Sequence, residues 1–218
     1  MIAGVDEAGR GPVIGPLVVA GVTASNQTIF ENIKVKDSKQ LTPKKRIFLA
    51  EQIKHISSNI EIIIINASDI DDMRKVMTMN EIEVHAFTKV IKKLSPDHCY
   101  VDAADVNSKR FGEHISAQLP KKIEIISEHK ADDIYPIVSA ASIIAKTIRD
   151  KEIESIAHSL EKRINKPLGS GYPSDPITQQ FIHFWVQKYK KLPPHTRKSW
   201  KTAQRIYHQH TRKTLDDF

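Results

Sequence analysis

The chain has 218 residues, 40% of them hydrophobic and 27% charged, so it can bury a core and is neither disordered nor collagen-like in composition. Its 33 basic and 26 acidic residues give a formal net charge of +7, which favours a polyanionic partner over a small acidic metabolite. The single cysteine, Cys99, excludes an intramolecular disulfide and a cysteine zinc cluster. Asp6, Glu7 and Arg10 do not fit a signal peptide, so we expect a cytoplasmic protein.

Strands and helices are predicted to alternate along the chain. Apolar runs rich in β-branched residues predict strands over 2–5, 17–23, 60–65, 98–101 and 123–127. Helical periodicity and capping residues predict helices over 43–56, 80–94, 108–119 and 135–160, followed by two more in the C-terminal part. This order favours an α/β fold, a mixed sheet with helices on its faces and a C-terminal helical extension. We expect a core over residues 1–185 and a basic helical segment and tail over 186–218, within a single structural unit.

The positive charge is concentrated near the C-terminus. Residues 186–213 include nine basic residues and no acidic one, and three aromatic residues lie among these cations. Cations mixed with aromatic rings are typical of surfaces that contact phosphates and sugars. The alternative is a solvated helix face whose aromatic rings pack on the core. The basic residues are Lys188, Lys190, Lys191, Arg197, Lys198, Lys201, Arg205, Arg212 and Lys213, and the aromatic residues are Tyr189, Trp200 and Tyr207.

Four acidic residues lie near the ends of predicted elements. Asp6 and Glu7 follow the first strand, and we expect that strand to end before them, because neighbouring residues of a regular strand face opposite sides. Asp102 ends the apolar run 99–101, and Asp132 precedes a helix. Open α/β sheets place their sites at strand ends, and carboxylates there suit Mg²⁺ or Mn²⁺. The alternatives are a helix cap at Asp132 and an ordinary turn residue at Asp102.

The long predicted helix carries a polar stripe opposite its apolar side. A phosphate backbone could run along this stripe, and a solvated face is the equal alternative. The residues of the stripe are Ser139, Ser142, Lys146, Arg149 and Asp150.

Several segments resemble the motifs of type 2 ribonuclease H, the ribonuclease HII family, in its archaeal form. They are GVDEAGRGPVIGPLVVAGV, DSKQLTP, YVDAADVN, HKADDIYPIVSAASIIAKTIRD and GSGYPSDP, and the similarity extends from residue 2 to about residue 201. The resemblance implies the ribonuclease H fold, with a five-stranded mixed sheet and a C-terminal helical region. It also implies an endonuclease that cleaves the RNA strand of RNA/DNA hybrids and cuts 5′ of ribonucleotides embedded in duplex DNA. Such an activity has its place in DNA replication and repair.

The resemblance assigns the catalytic acids. Asp6, Glu7, Asp102 and Asp132 are similar to the family's four catalytic and metal-binding residues. They would hold two divalent ions, Mg²⁺ or Mn²⁺, that activate a water and stabilise the charged phosphorane. Asp133 directly follows Asp132, so the choice between these two residues depends on alignment with the K-A-D pattern.

The resemblance also assigns substrate contacts. Gly9, Arg10 and Gly11 resemble the loop that reads the junction between a ribonucleotide and the next deoxynucleotide, and only a 2′-OH distinguishes RNA from DNA there. Tyr172 resembles the tyrosine that packs on the following deoxyribose. Taken alone, each of these loops would be an ordinary turn. The remaining predicted substrate contacts are Lys39, Ser139 and Lys146.

The C-terminal tip resembles the peptide by which replication proteins bind a sliding clamp. Leu215 and Phe218 keep the spacing of that peptide, whereas Arg212 stands at the usual glutamine position and only one aromatic residue is present. A disordered tail is the alternative.

Two other functions compete with the ribonuclease. One is a catalytically inactive nucleic-acid-binding or clamp-associated protein on the same fold, and the other is a DNA-cutting enzyme such as a resolvase. The complete set of four acids argues against the first, and the loop at residues 9–11 together with Tyr172 argues against the second. We expect the protein to be a monomer.

Overall fold

The computed structural model describes residues 1–35 and 41–211. Within these residues, no helix is long and apolar enough to cross a membrane. The elements in chain order are β1 (Ile2–Ala8), β2 (Leu17–Ala24), α1 (Thr28–Glu31), α2 (Pro43–Ile56), β3 (Asn59–Ile65), α3 (Ala67–Met73), α4 (Met79–Leu94), β4 (His98–Asp102), α5 (Ser108–Gln118), β5 (Glu124–Glu128), α6 (Ala131–Ile134), α7 (Pro136–Ile164), α8 (Pro176–Tyr189) and α9 (Lys201–Thr211).

The five strands form one mixed sheet in the order β3-β2-β1-β4-β5. β1 pairs antiparallel with β2 and parallel with β4, and β4 pairs parallel with β5. The predicted α/β fold with a five-stranded mixed sheet is therefore confirmed. The predicted end of the first strand is wrong: β1 continues through the two acids, because Asp6 pairs with Ala20 and Glu7 pairs with Val19 across the ladder with β2.

The chain divides into two compact units. The first, called the sheet unit, comprises Met1–Ala8, Val18–Ile64 and Met77–Ile148. The second, called the helical unit, comprises Gly9–Leu17, Ile65–Val76 and the described residues from Arg149 onward. The division at residues 185 and 186 that the sequence suggests stays a prediction.

In the sheet unit, the central strand β1 packs closely on the start of α7. Gly4 of β1 lies so near the carbonyl group of Ile137 that a Cβ atom at Gly4 would overlap it. Ile137, Ala141 and Ile144 of α7 belong to the buried core beside the apolar side chains of β2 and α2. The polar stripe of α7 is not solvated in this part, since Ser139 and Ser142 are fully buried.

In the helical unit, α8 and α9 bury apolar side chains together with the later residues of α7. This core includes Leu160 of α7, Trp185 of α8 and Ile206 of α9. α8 begins after Asp175, whose side chain accepts a hydrogen bond from the backbone of Ile177 and so caps the helix. The two helices predicted in the C-terminal part are thus present.

The cations of the basic segment differ in burial. Lys190, Lys191 and Lys198 are exposed, whereas Arg197 is fully buried. The basic segment therefore combines a charged surface with an internal arginine, which its composition does not reveal.

Candidate active site

Asp6 and Asp102 come together because their strands are parallel neighbours. Val5 of β1 pairs with Val101 of β4, so the residues that follow them lie side by side. The structure brings in a third acid, Asp132, and one carboxylate oxygen of each of the three lies within 4.8 Å of the others. Asp6 and Asp132 are buried, and Asp102 is partly buried.

Asp132 reaches this cluster because α6 is attached to the end of β4. The backbone N–H of Ala131, the first residue of α6, donates a 3.0 Å hydrogen bond to Oδ1 of Asp102. Asp132 lies inside α6, whose N-cap is Lys130 with φ of 56°, and α7 begins only at Pro136, so Asp132 is not at the N-cap position of either helix. Asp132 is buried, whereas Asp133 is exposed.

Glu7 is placed differently from the other three acids. It is the neighbour of Asp6 on β1, and its backbone N–H donates a 2.7 Å hydrogen bond to Oδ1 of Asp6. Among the residues that the structure describes, the cluster of converging carboxylates contains Asp6, Asp102 and Asp132 but not Glu7. The catalytic role of Glu7 stays a prediction.

The cluster concentrates negative charge in a buried place. Burial raises the pKa of the Asp6 carboxyl above its usual value, and the nearby charge of Asp132 raises it further. The hydroxyl of Ser142 and the ammonium of Lys146 act in the opposite direction. Nζ of Lys146 lies 4.0 Å from Oδ2 of Asp132.

The donor set suits a divalent cation. Three converging carboxylates offer the hard oxygen ligands that Mg²⁺ and Mn²⁺ prefer. A bound cation would also favour the ionised carboxylate, against the burial and the charge of Asp132 that raise the pKa of Asp6. The acid cluster can therefore hold a metal ion.

A second candidate binding region, the loop that contains Gly9, Arg10 and Gly11, lies in the helical unit. Gly9 has φ of +88°, and a Cβ atom there would lie 2.5 Å from the carbonyl oxygen of Pro16, so the loop requires glycine at this position. The backbone N–H groups of Val13 and Ile14 both donate to the carbonyl of Gly171, at 2.8 and 3.1 Å. These bonds join the glycine loop to the segment that contains Tyr172.

Tyr172 lies directly beside Gly11. A Cβ atom at Gly11 would be 3.6 Å from Cε1 of the Tyr172 ring, within ordinary van der Waals contact. The guanidinium of Arg149 lies 5.0 Å from the centre of the same ring and donates a 2.6 Å hydrogen bond to the carbonyl of Ser170. The structure therefore brings together the glycine loop and the tyrosine that the sequence assigned to one recognition site.

The remaining residues predicted to contact the substrate or the clamp lie in different environments. The Ser139 side chain is buried, and its hydroxyl donates a 2.6 Å hydrogen bond to the carbonyl of Val35, so its role as a substrate contact stays a prediction. Lys146 lies at the acid cluster. Lys39, Leu215 and Phe218 lie outside the described residues.

Two residues, one in each unit, have roles that the sequence did not predict. The hydroxyl of Ser142 acts to lower the pKa of Asp6. The sequence feature that could have indicated this role is its position one helical turn before Lys146 on the polar stripe. Arg197 donates hydrogen bonds to the carbonyls of Gly9 and Arg10. The sequence placed Arg197 among the surface cations and offered no clue to this role.

Comparison with known proteins agrees with this geometry. The family model for ribonuclease HII matches residues 3–203. Ribonuclease HII of Methanosarcina acetivorans is 50% identical over 216 residues, which cover 94% of this chain and 95% of that protein.

Solved structures show the same fold. The crystal structure of ribonuclease H2 from Pyrococcus horikoshii OT3 is similar with a TM-score of 0.88 and 42% identity, over 97% of this chain and 99% of that one. Ribonuclease HII in a PCNA:RNase HII complex from Archaeoglobus fulgidus is similar with a TM-score of 0.85 and 39% identity, over 100% of both chains.

The sheet order, the converging carboxylates and the similarity to the solved ribonuclease H2 together define a nuclease with the ribonuclease H-like fold. Within this class, the chain belongs to the ribonuclease HII family. The resemblance stated from the sequence is confirmed, and so is the predicted enzyme class, a ribonuclease H.

Proposed function

We propose that this enzyme cleaves the RNA strand of RNA/DNA hybrids and cuts on the 5′ side of ribonucleotides embedded in duplex DNA. The observation that carries this proposal is the convergence of Asp6, Asp102 and Asp132 within 4.8 Å. Membership of the ribonuclease HII family supports the hydrolytic chemistry. The position of the Tyr172 ring beside Gly11 supports recognition of the junction.

Asp6, Asp102 and Asp132, together with Glu7, would hold two divalent ions, Mg²⁺ or Mn²⁺. When bound, such ions activate a water and neutralise the charge that develops on the phosphate. Burial raises the pKa of Asp6, and Ser142 and Lys146 oppose this effect by favouring the ionised form that a cation would bind.

The glycine loop and Tyr172 would recognise the junction. Backbone N–H groups can approach a 2′-OH where no side chain intervenes, and the 2′-OH is what distinguishes RNA from DNA. The Tyr172 ring offers a flat apolar surface for the following deoxyribose, and the adjacent Arg149 guanidinium holds that ring.

The first test uses an end-labelled DNA duplex with one ribonucleotide, beside an all-DNA duplex, with Mg²⁺, Mn²⁺ or a chelator. We expect a single metal-dependent cut 5′ of the ribonucleotide and no cut in the all-DNA duplex. Cleavage of a long hybrid alone would contradict the junction assignment. Cleavage of the all-DNA duplex would favour the resolvase-like function.

A second test separates an enzyme from a catalytically inactive binding protein. Asp102→Asn removes one of the converging carboxylates, so we expect cleavage to be abolished while the duplex is still bound. Equal cleavage by the wild type and this variant would contradict the mechanism. Absence of cleavage by the wild type, with binding retained, would favour the inactive protein.

We also infer that the C-terminal tip contacts a sliding clamp. The support is the spacing of Leu215 and Phe218 and the similarity over the full chain to the ribonuclease HII solved in complex with PCNA. Deletion of residues 214–218, which keeps Arg212 and Lys213, is expected to abolish clamp binding without changing cleavage. Undiminished clamp binding by the shortened protein would contradict this inference.

A further inference from the structure

Arg197 is an internal cation that binds three backbone carbonyls of the glycine loop. Its side chain is fully buried. Nε donates to the carbonyl of Gly15 at 3.0 Å, Nη1 to that of Arg10 at 2.7 Å, and Nη2 to that of Gly9 at 2.5 Å. Burial and the charge of Arg149 lower the pKa of this guanidinium, and the three carbonyl acceptors compensate for its lost hydration.

Neighbouring residues extend this attachment along the loop. Nε1 of Trp200 donates a 3.2 Å hydrogen bond to the carbonyl of Gly11, and the Arg197 guanidinium lies 4.8 Å from the centre of the Trp200 ring. The backbone N–H of Arg197 donates to the carbonyl of Val13 at 2.8 Å. Side chains from residues 197 and 200 thus hold three consecutive carbonyls, those of residues 9, 10 and 11.

This attachment determines which way the amides of the loop point. In a trans peptide, the C=O of one residue and the N–H of the next point in opposite directions. Since the carbonyls of Gly9 and Arg10 face the guanidinium of Arg197, the N–H groups of Arg10 and Gly11 point away from it. The loop therefore presents these amides on the side opposite Arg197.

We propose that Arg197 is a positioning residue that sets the glycine loop for reading a single ribonucleotide, with Trp200 as a second donor. Because Arg197 is buried and binds the carbonyls of the loop, its effect on the substrate is exerted through the loop. A lysine could not replace it, because an ammonium lacks the planar fork that reaches three separate carbonyls. This inference rests on the proposed role of the loop in junction recognition.

The two kinds of substrate depend differently on the position of the loop. A single embedded ribonucleotide offers one 2′-OH and hence one productive register of the duplex. A continuous RNA strand offers a 2′-OH at every step, so a displaced loop can still find one. The measure of positioning is therefore the ratio of kcat/KM for a duplex with one ribonucleotide to kcat/KM for a continuous hybrid.

The test compares Arg197→Lys and Trp200→Phe with a matched control, Arg163→Lys. The Arg163 guanidinium also lies over a tryptophan ring of the helical unit, 5.1 Å from the centre of Trp185. We expect Arg197→Lys to lower the ratio by about 10- to 100-fold, since small misplacements in a site have effects of this size. Trp200→Phe, which loses one hydrogen bond, should lower it by about two- to tenfold. Arg163→Lys should leave the ratio unchanged.

Other results of this comparison would overturn either the positioning role of Arg197 or the proposed junction recognition. A loss of kcat/KM in Arg197→Lys that is equal on both substrates would show a merely structural role and overturn the proposal. If Arg197→Lys does not fold, as judged by circular dichroism, Trp200→Phe decides, and an unchanged ratio there overturns the proposal. A wild type that fails to cut the single ribonucleotide would instead refute the proposed junction recognition.

Discussion

At the scale of single residues, Asp132 and Asp133 are adjacent in sequence and opposite in environment. Asp132 is buried beside Asp6 and Asp102, whereas Asp133 is exposed. The difference arises from α6, whose first N–H is held by Asp102. The K-A-D pattern alone left the choice between these acids to an alignment, and the geometry favours Asp132.

This pair gives a matched experiment. Asp132→Asn should lower the single-turnover rate constant of cleavage by roughly a hundredfold or more, because several kcal/mol of charge stabilisation depend on the ion that the carboxylates hold. Asp133→Asn, which removes the same charge one position later, should keep nearly wild-type activity. The measurement is single-turnover cleavage of an RNA/DNA hybrid, and the opposite order of the two variants would contradict the assignment of Asp132.

Asp105 shows a pKa shift of the opposite sign to that of Asp6. Arg110 donates hydrogen bonds to both oxygens of Asp105, the shortest at 2.6 Å, and lowers the pKa of this carboxyl to about 2. Because the folded-state pKa lies below the ordinary value of 3.8, the paired carboxylate stabilises the fold at neutral pH.

The pairing of Asp105 with Arg110 should affect the stability of the protein in acid. The stabilisation by Asp105 should be fully present above pH 3.8 and should be lost as the pH falls toward 2. Urea unfolding at several pH values should thus show a wild type more stable than Asp105→Asn at neutral pH, with a difference that shrinks over this window. A difference that grows as the pH falls would contradict the role of the pair.

At the scale of elements, the close packing of β1 on α7 positions the acid cluster. Gly4 of β1 meets the backbone of Ile137, and Asp6 follows on the same strand toward Ser142 and Lys146 of α7. A side chain at Gly4 would push the strand from the helix and move Asp6 away from the groups that act on it.

We therefore expect Gly4→Ala to destabilise the protein by about 1–3 kcal/mol or more, the range for overpacked cores, and to reduce cleavage as well. Gly21→Ala on β2 is the comparison, since its Cβ would meet the ends of the Val90 and Leu94 side chains, which can move aside more easily than a backbone. Urea unfolding measures both variants. A larger loss of stability in Gly21→Ala than in Gly4→Ala would show that the contact with α7 is not tight.

Local sequence features predicted those elements that depend on neighbours in the chain. α2 begins at Pro43 because Thr42 accepts a hydrogen bond from the backbone of Lys45, and this cap is readable from the sequence. The extension of β1 through Asp6 was missed, because it depends on pairing with β2 rather than on apolar residues. The burial of Arg197 depends on carbonyls 182 to 188 positions away, which no local pattern contains.

The convergence of the acids could be predicted from the sequence only in part. Strand ends and a helix start were visible at Asp102 and Asp132, so a site at the strand ends could be expected. That β1 and β4 are parallel neighbours, with Val5 opposite Val101, depends on the sheet order, which the periodicity of the sequence does not determine. The family motifs were therefore needed to predict that the acids form one cluster.

At the scale of the whole molecule, the net charge of +7 arises from the C-terminal segment, and several of its cations are exposed. Lys190 and Lys191 follow α8 directly and are both exposed, whereas Arg197 is used internally. Exposed lysines bind phosphates as point charges and release counterions from the nucleic acid, so their contribution to affinity depends on salt.

We expect the double variant Lys190→Gln, Lys191→Gln to bind a ribonucleotide-containing duplex more weakly and to reduce the slope of log K against log salt by about 2, one for each lost phosphate contact. Fluorescence anisotropy in an Asp102→Asn background measures binding without cleavage. The control, Lys54→Gln with Lys93→Gln, removes the same charge from lysines that pair with Glu51 and Glu61. If the control changed the slope as much as the test variant, affinity would follow the net charge of the molecule, and the basic segment would not be the surface that binds the duplex.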